Sequence, residues 1–369
     1  MTIDTCIIVK NEEKTIKKLI NQFLLFSHEI HITDTGSTDN TISIIEEIQK
    51  TNSNVFLHHF EWCMDFAKAR NYSLTCYECK ADYQFWCDGD DELNDKLIET
   101  LKEFVNSNDK DCDIYFMKYQ YFDGDKNPHN RTSLLKVSSE LKWYDPIHEY
   151  ISYTTSHKVD YDIFNNGSLI IHKRDLSVNH VDRNLEIFMN MERNDYKFTC
   201  RNRYYYGREL LYNKLWECGV NQLHKCIDST ENNHLDKYNA CNKLFESKDP
   251  EAIDYFFKMM KDNNYRKDMF YYVGRYYYEK SNFEQAKFYY LLCINCNEPK
   301  PGFTFGYNSI CHINSLLQLN VIEYKFGNID KSIEYNEKVL QIDPTNEIAI
   351  GNIKLLNSLK NKNENNTDK

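Results

Sequence analysis

The run Tyr83-Gln84-Phe85-Trp86-Cys87-Asp88-Gly89-Asp90-Asp91-Glu92 passes from apolar to acidic within ten residues. Its first half, Tyr83 to Cys87, reads as a short strand rich in aromatic residues. Its second half places Asp88 and Asp90 on one side of a tight turn. Hard divalent cations favour such an oxygen-rich arrangement, often completed by substrate phosphates. Alone, the run also describes an acidic surface turn leading into a helix at Glu92, so the flanking segments decide.

Upstream, strand-like and helix-like segments alternate. Strands are expected at Asp4–Val9, Glu29–Thr33 and Asn54–His59, and helices at Glu12–Phe26, Thr41–Gln49 and Phe66–Cys79. The first helix carries Ile16, Leu19, Ile20, Phe23 and Leu24 on one stripe. Downstream, Asp95–Val105 reads as a helix and Asp113–Tyr121 as a strand. This alternation predicts an α/β fold, a mostly parallel sheet with helices on both faces. Ligands of such sheets sit at the carboxyl ends of the strands. The polar clusters after Val9, Thr33 and Cys87 therefore share one edge.

After about residue 190 strand signals stop and a 34-like period begins. Small residues recur twelve apart as Gly207/Gly219, Ala240/Ala252 and Gly274/Ala286, the first members being 33 and 34 residues apart. A looser fourth unit has Asn320/Ser332, with Asp343-Pro344 following. Large residues such as Phe256, Tyr277 and Tyr290 fill matching positions. This is the tetratricopeptide pattern of paired helices touching at small side chains. Extra residues around Pro299–Gly306 interrupt the stack or lengthen a helix. The expected domains are 1–190, 191–360 for the helical repeats, and a polar, disordered tail over 361–369.

Composition agrees. Gly and Pro number only 11 and 6 of 369 residues, well under half the usual share of about 12%, which disfavours a turn-rich all-β fold. The net charge is −11, from 45 basic and 56 acidic residues. A phosphate-backbone binder carries a basic face instead, so no nucleic-acid partner is expected. No apolar run approaches the ~18 residues that span a bilayer. Ile3–Val9, broken by Asp4 and followed by Lys10-Asn11-Glu12-Glu13, is too short and polar for a secretory core. Thirteen cysteines without framework spacing suit reduced thiols and a cytoplasmic location, host cytoplasm if the source is a virus. Cys76-x2-Cys79 and Cys293-x2-Cys296 lie within helical patterns and do not read as a zinc site.

Four segments in order, Ile7-Ile8-Val9-Lys10-Asn11-Glu12-Glu13, Asp34-Thr35-Gly36-Ser37-Thr38-Asp39-Asn40-Thr41, Asp65-Phe66-Ala67-Lys68-Ala69-Arg70-Asn71 and the Asp88 run, resemble family 2 glycosyltransferases. The resemblance spans roughly residues 1 to 175. It implies a GT-A, Rossmann-like catalytic domain and inverting transfer from a nucleotide-diphosphate donor, a UDP-sugar, with Mn²⁺ or Mg²⁺. It implies a hexosyltransferase-type enzyme. By position, Val9, Asn11 and Glu12 border the nucleoside and Asp34 approaches the base or ribose. Arg70 faces the diphosphate, while Asp88 and Asp90 meet ribose and metal. Thr35 departs from the second Asp of many members, which leaves open the group that meets the base. The bland alternatives are a helix-start carboxylate for Glu12 and a surface cation for Arg70.

A second cluster is Trp143-Tyr144-Asp145-Pro146-Ile147-His148-Glu149-Tyr150. Sugar sites need flat aromatic faces and a carboxylate that takes the acceptor's proton. In the repeat-bearing subgroup a similar Trp…His-Glu segment follows the last strands. Glu149 is the candidate base, Asp145 the runner-up, and His148 orients Glu149 or meets the donor phosphate. Trp143 and Tyr144 would floor the sugar site. His172, ending the strand Leu169-Ile170-Ile171, is a candidate third metal ligand. Arg183-Asn184-Leu185-Glu186 resembles the segment joining catalytic domain to repeats. The repeats would recruit a protein or glycan acceptor, or join two copies in a homodimer. The competing reading is an interaction scaffold with an inactive transferase domain.

Overall fold

The computed structural model describes residues 1–107, 111–121, 128–173, 181–261, 266–296 and 307–367. The chain divides into two units, Met1–Tyr196 and Lys197–Lys369.

In the first unit β1 (Ile3–Val9), α1 (Ile16–Phe23), β2 (Ile30–Asp34), α2 (Thr41–Gln49), β3 (Val55–His59), α3 (Phe66–Thr75) and β4 (Tyr83–Phe85) alternate as the sequence suggests. There follow β5 (Asp91–Leu93), α4 (Asp95–Asn106), β6 (Ile114–Tyr121), β7 (His129–Lys136), β8 (Trp143–Tyr144), β9 (Tyr150–Ile151), β10 (Val159–Asp160), β11 (Leu169–His172) and α5 (Val181–Arg193). The main sheet runs β3-β2-β1-β4-β7-β6-β11-β5, with β10 also on β6, while β8 and β9 form a separate hairpin. Pairing is parallel from β3 to β4. It turns antiparallel at β7, which lies between β4 and β6, and again at β5 beside β11. The sheet is therefore mixed beyond β4. β7 was missed because His129 to Ser133 is polar throughout and lacks an apolar alternation.

β1 shows how the layers form. Alternate strand side chains face opposite ways. Ile3, Ile7 and Val9 point into a core with Ile16, Leu19, Ile20 and Phe23 of α1, Ile45 and Ile48 of α2, and Leu97, Leu101 and Phe104 of α4. Cys6 points into a second core with Ala67 and Leu74 of α3, Trp86, Phe116 and Trp143. The expected helices at 12–26 and 66–79 are shorter than their apolar patterns. α1 starts only at Ile16, and α3 stops at Thr75 with Cys76 as its cap. Cys79 thus lies beyond the helix, its thiol 3.4 Å from Asp4 Oδ2.

The second unit is helical: α6 (Cys200–Tyr212), α7 (Trp216–Ile227), α8 (His234–Glu246), α9 (Ala252–Met260), α10 (Lys267–Glu279), α11 (Phe283–Asn295), α12 (Tyr307–Lys325), α13 (Ile329–Ile342) and α14 (Glu347–Thr367). The small residues sit where helices cross. A Cβ on Gly207 would lie 3.0 Å from the Gly219 carbonyl oxygen and 2.9 Å from Leu223 Cδ2. One on Gly274 would lie 2.7 Å from the Tyr290 ring. In the fourth unit Ser332 Oγ donates to the Asn320 carbonyl (3.0 Å), so a hydroxyl seals the crossing that glycine leaves open elsewhere. The interruption expected at Pro299–Gly306 lies outside the described residues. The tail expected to be disordered from Asn361 is instead helical to Thr367, because Lys, Asn and Glu there include no Pro or Gly to stop α14. Among the described residues no helix is long and apolar enough to cross a membrane.

Candidate active site

The carboxyl ends of β1 and β2 are knitted by side chains. Asp34, ending β2, accepts the backbone N–H groups of Gly36 (2.9 Å) and Ser37 (3.1 Å). Thr35 donates its hydroxyl to the Val9 carbonyl (3.0 Å). That buried bond needs a hydroxyl donor, which a carboxylate could not supply. Asn11, at φ 58, accepts the Thr38 N–H (2.7 Å) through Oδ1, and its own N–H reaches Ser37 Oγ (2.9 Å). The Glu12 N–H bonds Thr41 Oγ1 at 2.7 Å. Glu12 lies just ahead of α1, and its carbonyl accepts the Thr15 and Ile16 N–H groups at 3.1 and 2.9 Å.

The acidic run meets this edge from β4. A Cβ added to Gly89 would lie 3.0 Å from Glu12 Cγ and 3.1 Å from Val9 Cγ1, so a side chain there would require those neighbours to give by a few tenths of an ångström. Thr15 Oγ1 lies 3.0 Å from both the Gly89 carbonyl and Glu12 Oε2. Burial, reinforced by Asp90, Asp39 and Asp88, pushes the Glu12 carboxyl up to about 7 against the Thr15 hydrogen bond.

Across the edge runs a chain of alternating charges. Arg70 donates through Nε to Glu149 Oε1 (2.8 Å) and through Nη2 to Asp88 Oδ1 (2.6 Å). Arg131 donates to Asp88 Oδ2 (2.6 Å) and to Asp91 Oδ2 (3.4 Å). Asp91 Oδ1 accepts the Tyr119 hydroxyl (2.9 Å) and lies 3.2 Å from His172 Nδ1, which is 3.4 Å from Asp90 Oδ1. Aromatic rings flank both guanidinium groups: Trp86 and Trp143 at 4.6 and 5.1 Å from Arg70, Trp86 and Tyr119 at 4.1 and 4.3 Å from Arg131. Burial alone would raise the Asp88 carboxyl, but Arg131 and Arg70 outweigh it and hold it well below the usual range. Burial would likewise lower His172, but bonds to Asp90 and Asp91 raise it to about 10, so the metal-free imidazole is cationic at neutral pH.

The β8–β9 hairpin closes the site. Trp143 is buried against Arg70 and Trp86, so its face is not open to a sugar, contrary to the expectation for it. The stacking that was expected of it serves a cation instead. Tyr144 is 49% exposed and stacks on Tyr150 across the hairpin, centroids 6.0 Å apart. Asp145 (φ 70) and His148 (φ 52) adopt left-handed backbone, which costs about 1–3 kcal/mol each and marks a turn held by its surroundings.

Val9, Asn11, Glu12, Asp34, Arg70, Asp88, Asp90, Glu149 and His172 are thus all drawn to the strand ends. Asp145 and His148 instead meet residues at the end of the first unit, Tyr196 and Phe188. The sequence reading missed Arg131, Tyr119 and Asp91. Asp91 had a signal, as the second acid of Asp90-Asp91; Arg131 and Tyr119 had none. Asp90, Asp91 and His172 bring two carboxylate oxygens and an imidazole nitrogen within 4.8 Å of one another, a donor set that suits Mn²⁺ or Mg²⁺. Asp91 has no side-chain exposure and is engaged on both oxygens, one of them against His172 Nδ1, whereas Asp90 and His172 are partly exposed.

Residues 4–166 match the sequence model of glycosyl transferase family 2. An uncharacterized glycosyltransferase of Haemophilus influenzae is 28% identical over 152 residues, covering 37% of this chain and 45% of that protein. Glycosyltransferase GlyG of Streptococcus pneumoniae serotype 4 is 32% identical over 95 residues, covering 26% and 30%. A TPR repeat-containing protein of Synechococcus elongatus is 24% identical over 151 residues, covering 40% and 35%. The chain spans less than half the length of each. Among solved structures, S. aureus TarS 1–349 in complex with UDP-GlcNAc gives a TM-score of 0.42 at 14% identity, over 69% of this chain and 89% of that one. YrrB, a TPR protein with an unusual peptide-binding site, gives 0.36 at 16% identity, over 48% and 86%. The matched segment contains the strand ends where the acidic run, Glu12, Asp34 and Arg70 converge: residues 4–166 carry the likeness to glycosyl transferase family 2, and helices with the tetratricopeptide-type spacing of small residues follow them.

Proposed function

We propose that the protein is an inverting glycosyltransferase of the hexosyltransferase type, moving a sugar from a UDP-sugar to a protein or glycan acceptor with Mn²⁺ or Mg²⁺. One observation supports the reading: the charged chain from Glu149 through Arg70, Asp88 and Arg131 to Asp91 and His172 gathers at the strand ends in and beside the segment that matches family 2. Val9, Asn11 and Glu12 border the nucleoside. Asp34 uses both oxygens on its own turn, yet a carboxylate has about four lone-pair sites and keeps capacity for a base or ribose donor. Asp88, held ionised between two arginines, accepts from the ribose.

Asp90 and His172 would hold the cation, with Asp91 behind His172. When bound, that cation neutralises charge growing on the departing diphosphate. Arg70 adds a second positive group on the same side. Glu149 takes the proton of the attacking acceptor hydroxyl, whose pKa lies far above neutrality. Its bond to Arg70 fixes the carboxylate in place before the acceptor arrives. The repeats recruit the acceptor or join two copies of the chain.

Thermal-shift titration with UDP, UDP-N-acetylglucosamine and UDP-glucose, with and without Mn²⁺, tests the donor assignment, since specific ligands stabilise by mass action. Stabilisation by a uridine nucleotide that needs Mn²⁺ and disappears in Asp90→Asn supports it. Full donor affinity and turnover in Asp90→Asn would show the metal assignment wrong. A chain that binds no nucleotide and never hydrolyses a donor is a scaffold instead.

A further inference from the structure

The turn from Asp145 to Glu149 hangs between two helical segments of the first unit. On one side α3 grips it. The Phe66 N–H donates to the Pro146 carbonyl (2.8 Å), and Asn71 bonds both the N–H and the carbonyl of Trp143 (2.9 Å each). Arg70 takes Glu149 itself. On the other side stands α5 with the residues just after it. The His148 ring stacks on fully buried Phe188, centroids 6.2 Å apart and planes at 27°. The Tyr196 hydroxyl donates to Asp145 Oδ1 at 3.0 Å.

Tyr196 reaches that point because α5 stops abruptly. Asp195 takes positive φ (52°), and the Tyr196 N–H bonds the Met191 carbonyl at 2.9 Å, the six-to-one closure of a Schellman-type cap. The chain reverses within one residue and lays the phenol on the hairpin. Burial and the neighbouring Asp145 keep that phenol protonated, so the donor is present throughout the neutral range.

We infer that Tyr196 and Phe188 are positioning residues that hold the Asp145–Glu149 turn from the α5 side, so that the Glu149 carboxylate meets Arg70. This rests on the reading of Glu149 as the base. Asp145 and His148 both sit at positive φ, and such backbone persists only where its surroundings over-determine it. α3 holds Trp143, Pro146 and Glu149, whereas Phe188 and Tyr196 contact the two positive-φ residues themselves. Releasing either one lets the turn relax, and Glu149 moves with it. Misplacement by about 1 Å in a reacting group costs up to ~10² in rate.

Two readouts on the full chain test this, one of them independent of activity. In Tyr196→Phe, amide hydrogen exchange of residues 145–151 should quicken about five-fold or more while that of β1 stays unchanged. Unchanged exchange in the hairpin would overturn the inference. In Mn²⁺-dependent release of UDP from UDP-N-acetylglucosamine, Tyr196→Phe should lower kcat about ten-fold with the donor KM unaltered. Phe188→Leu should act in the same direction. Asp145→Asn keeps an oxygen for the phenol and should retain kcat, while Asp145→Leu should reproduce the Tyr196→Phe loss. Loss of kcat in Asp145→Asn with Tyr196→Phe at the wild-type rate would overturn it and make Asp145 the base. If the wild-type chain releases no UDP from any donor, the transferase reading fails, and hydrogen exchange alone decides the positioning role.

Discussion

Asp91 and His172 face each other across the antiparallel pair β5–β11, Oδ1 to Nδ1 3.2 Å, and are direct register partners. The carboxylate that follows the Asp-x-Asp turn thereby holds the histidine that ends the last strand. Because Asp90 joins them, the metal-free imidazole carries a proton at neutral pH, with its value raised to about 10.

That raised value has a consequence for stability. The folded chain keeps a proton that the unfolded chain, near its ordinary 6.5, gives up first. The stabilisation is complete below about 6.5 and is lost as the pH rises towards 10. His172→Gln, unfolded by urea in the presence of a chelator, should therefore cost about 1–3 kcal/mol at pH 6 and much less near pH 10. An equal cost at both would mean that the His172 contribution is packing rather than charge.

Glu12 shifts stability in the same direction with pH, here as a penalty on the ionised acid rather than a gain from a cation. Its folded value of about 7 exceeds the ordinary 4.5, so the folded chain binds the extra proton and stability falls as pH rises between those values. Glu12→Gln should be stabilising by about 1–2 kcal/mol at pH 8 and nearly neutral at pH 4.5, discounted for its partial exposure. Denaturant midpoints at the two pH values check this.

Glu149 lies 59 residues after Asp90 in sequence and joins the same charged chain through Arg70. Glu149→Gln keeps shape and an oxygen for Arg70 but removes basicity. Donor affinity in thermal shift should survive, while transfer falls by at least the ~10² expected of a general base. Near wild-type transfer by this variant would remove Glu149 from the mechanism.

In the repeats, Gly207→Val should destabilise the chain by about 1–3 kcal/mol, because its Cβ would press on the Gly219 carbonyl, a backbone atom that cannot swing aside. Thermal or urea unfolding measures it. The same change at Gly351, inside α14 with nothing within 4 Å, should be neutral or slightly stabilising, because glycine is the weaker helix former.

The sequence by itself determined the layers. Alternating strands and helices to Tyr121, and small residues twelve apart after Gly207, are local periodicities, and burial follows periodicity directly. It also identified most groups that gather at the strand ends, because motifs after β1, β2 and β4 share an edge in any parallel sheet. Tertiary structure alone decided how those groups pair. Arg131 sits in a polar strand that periodicity does not mark, yet antiparallel pairing with β4 and β6 sets it between Asp88 and Asp91. Trp143 looks in sequence like a sugar platform, and only the packing of β8 on α3 turns its face to Arg70. Charge pairing depends on distances between strands far apart in the chain, which no local pattern encodes. The backbone turn that separates Glu149 from Asp145 is held by α3 and by a residue just beyond α5, so it too was fixed only when the chain folded.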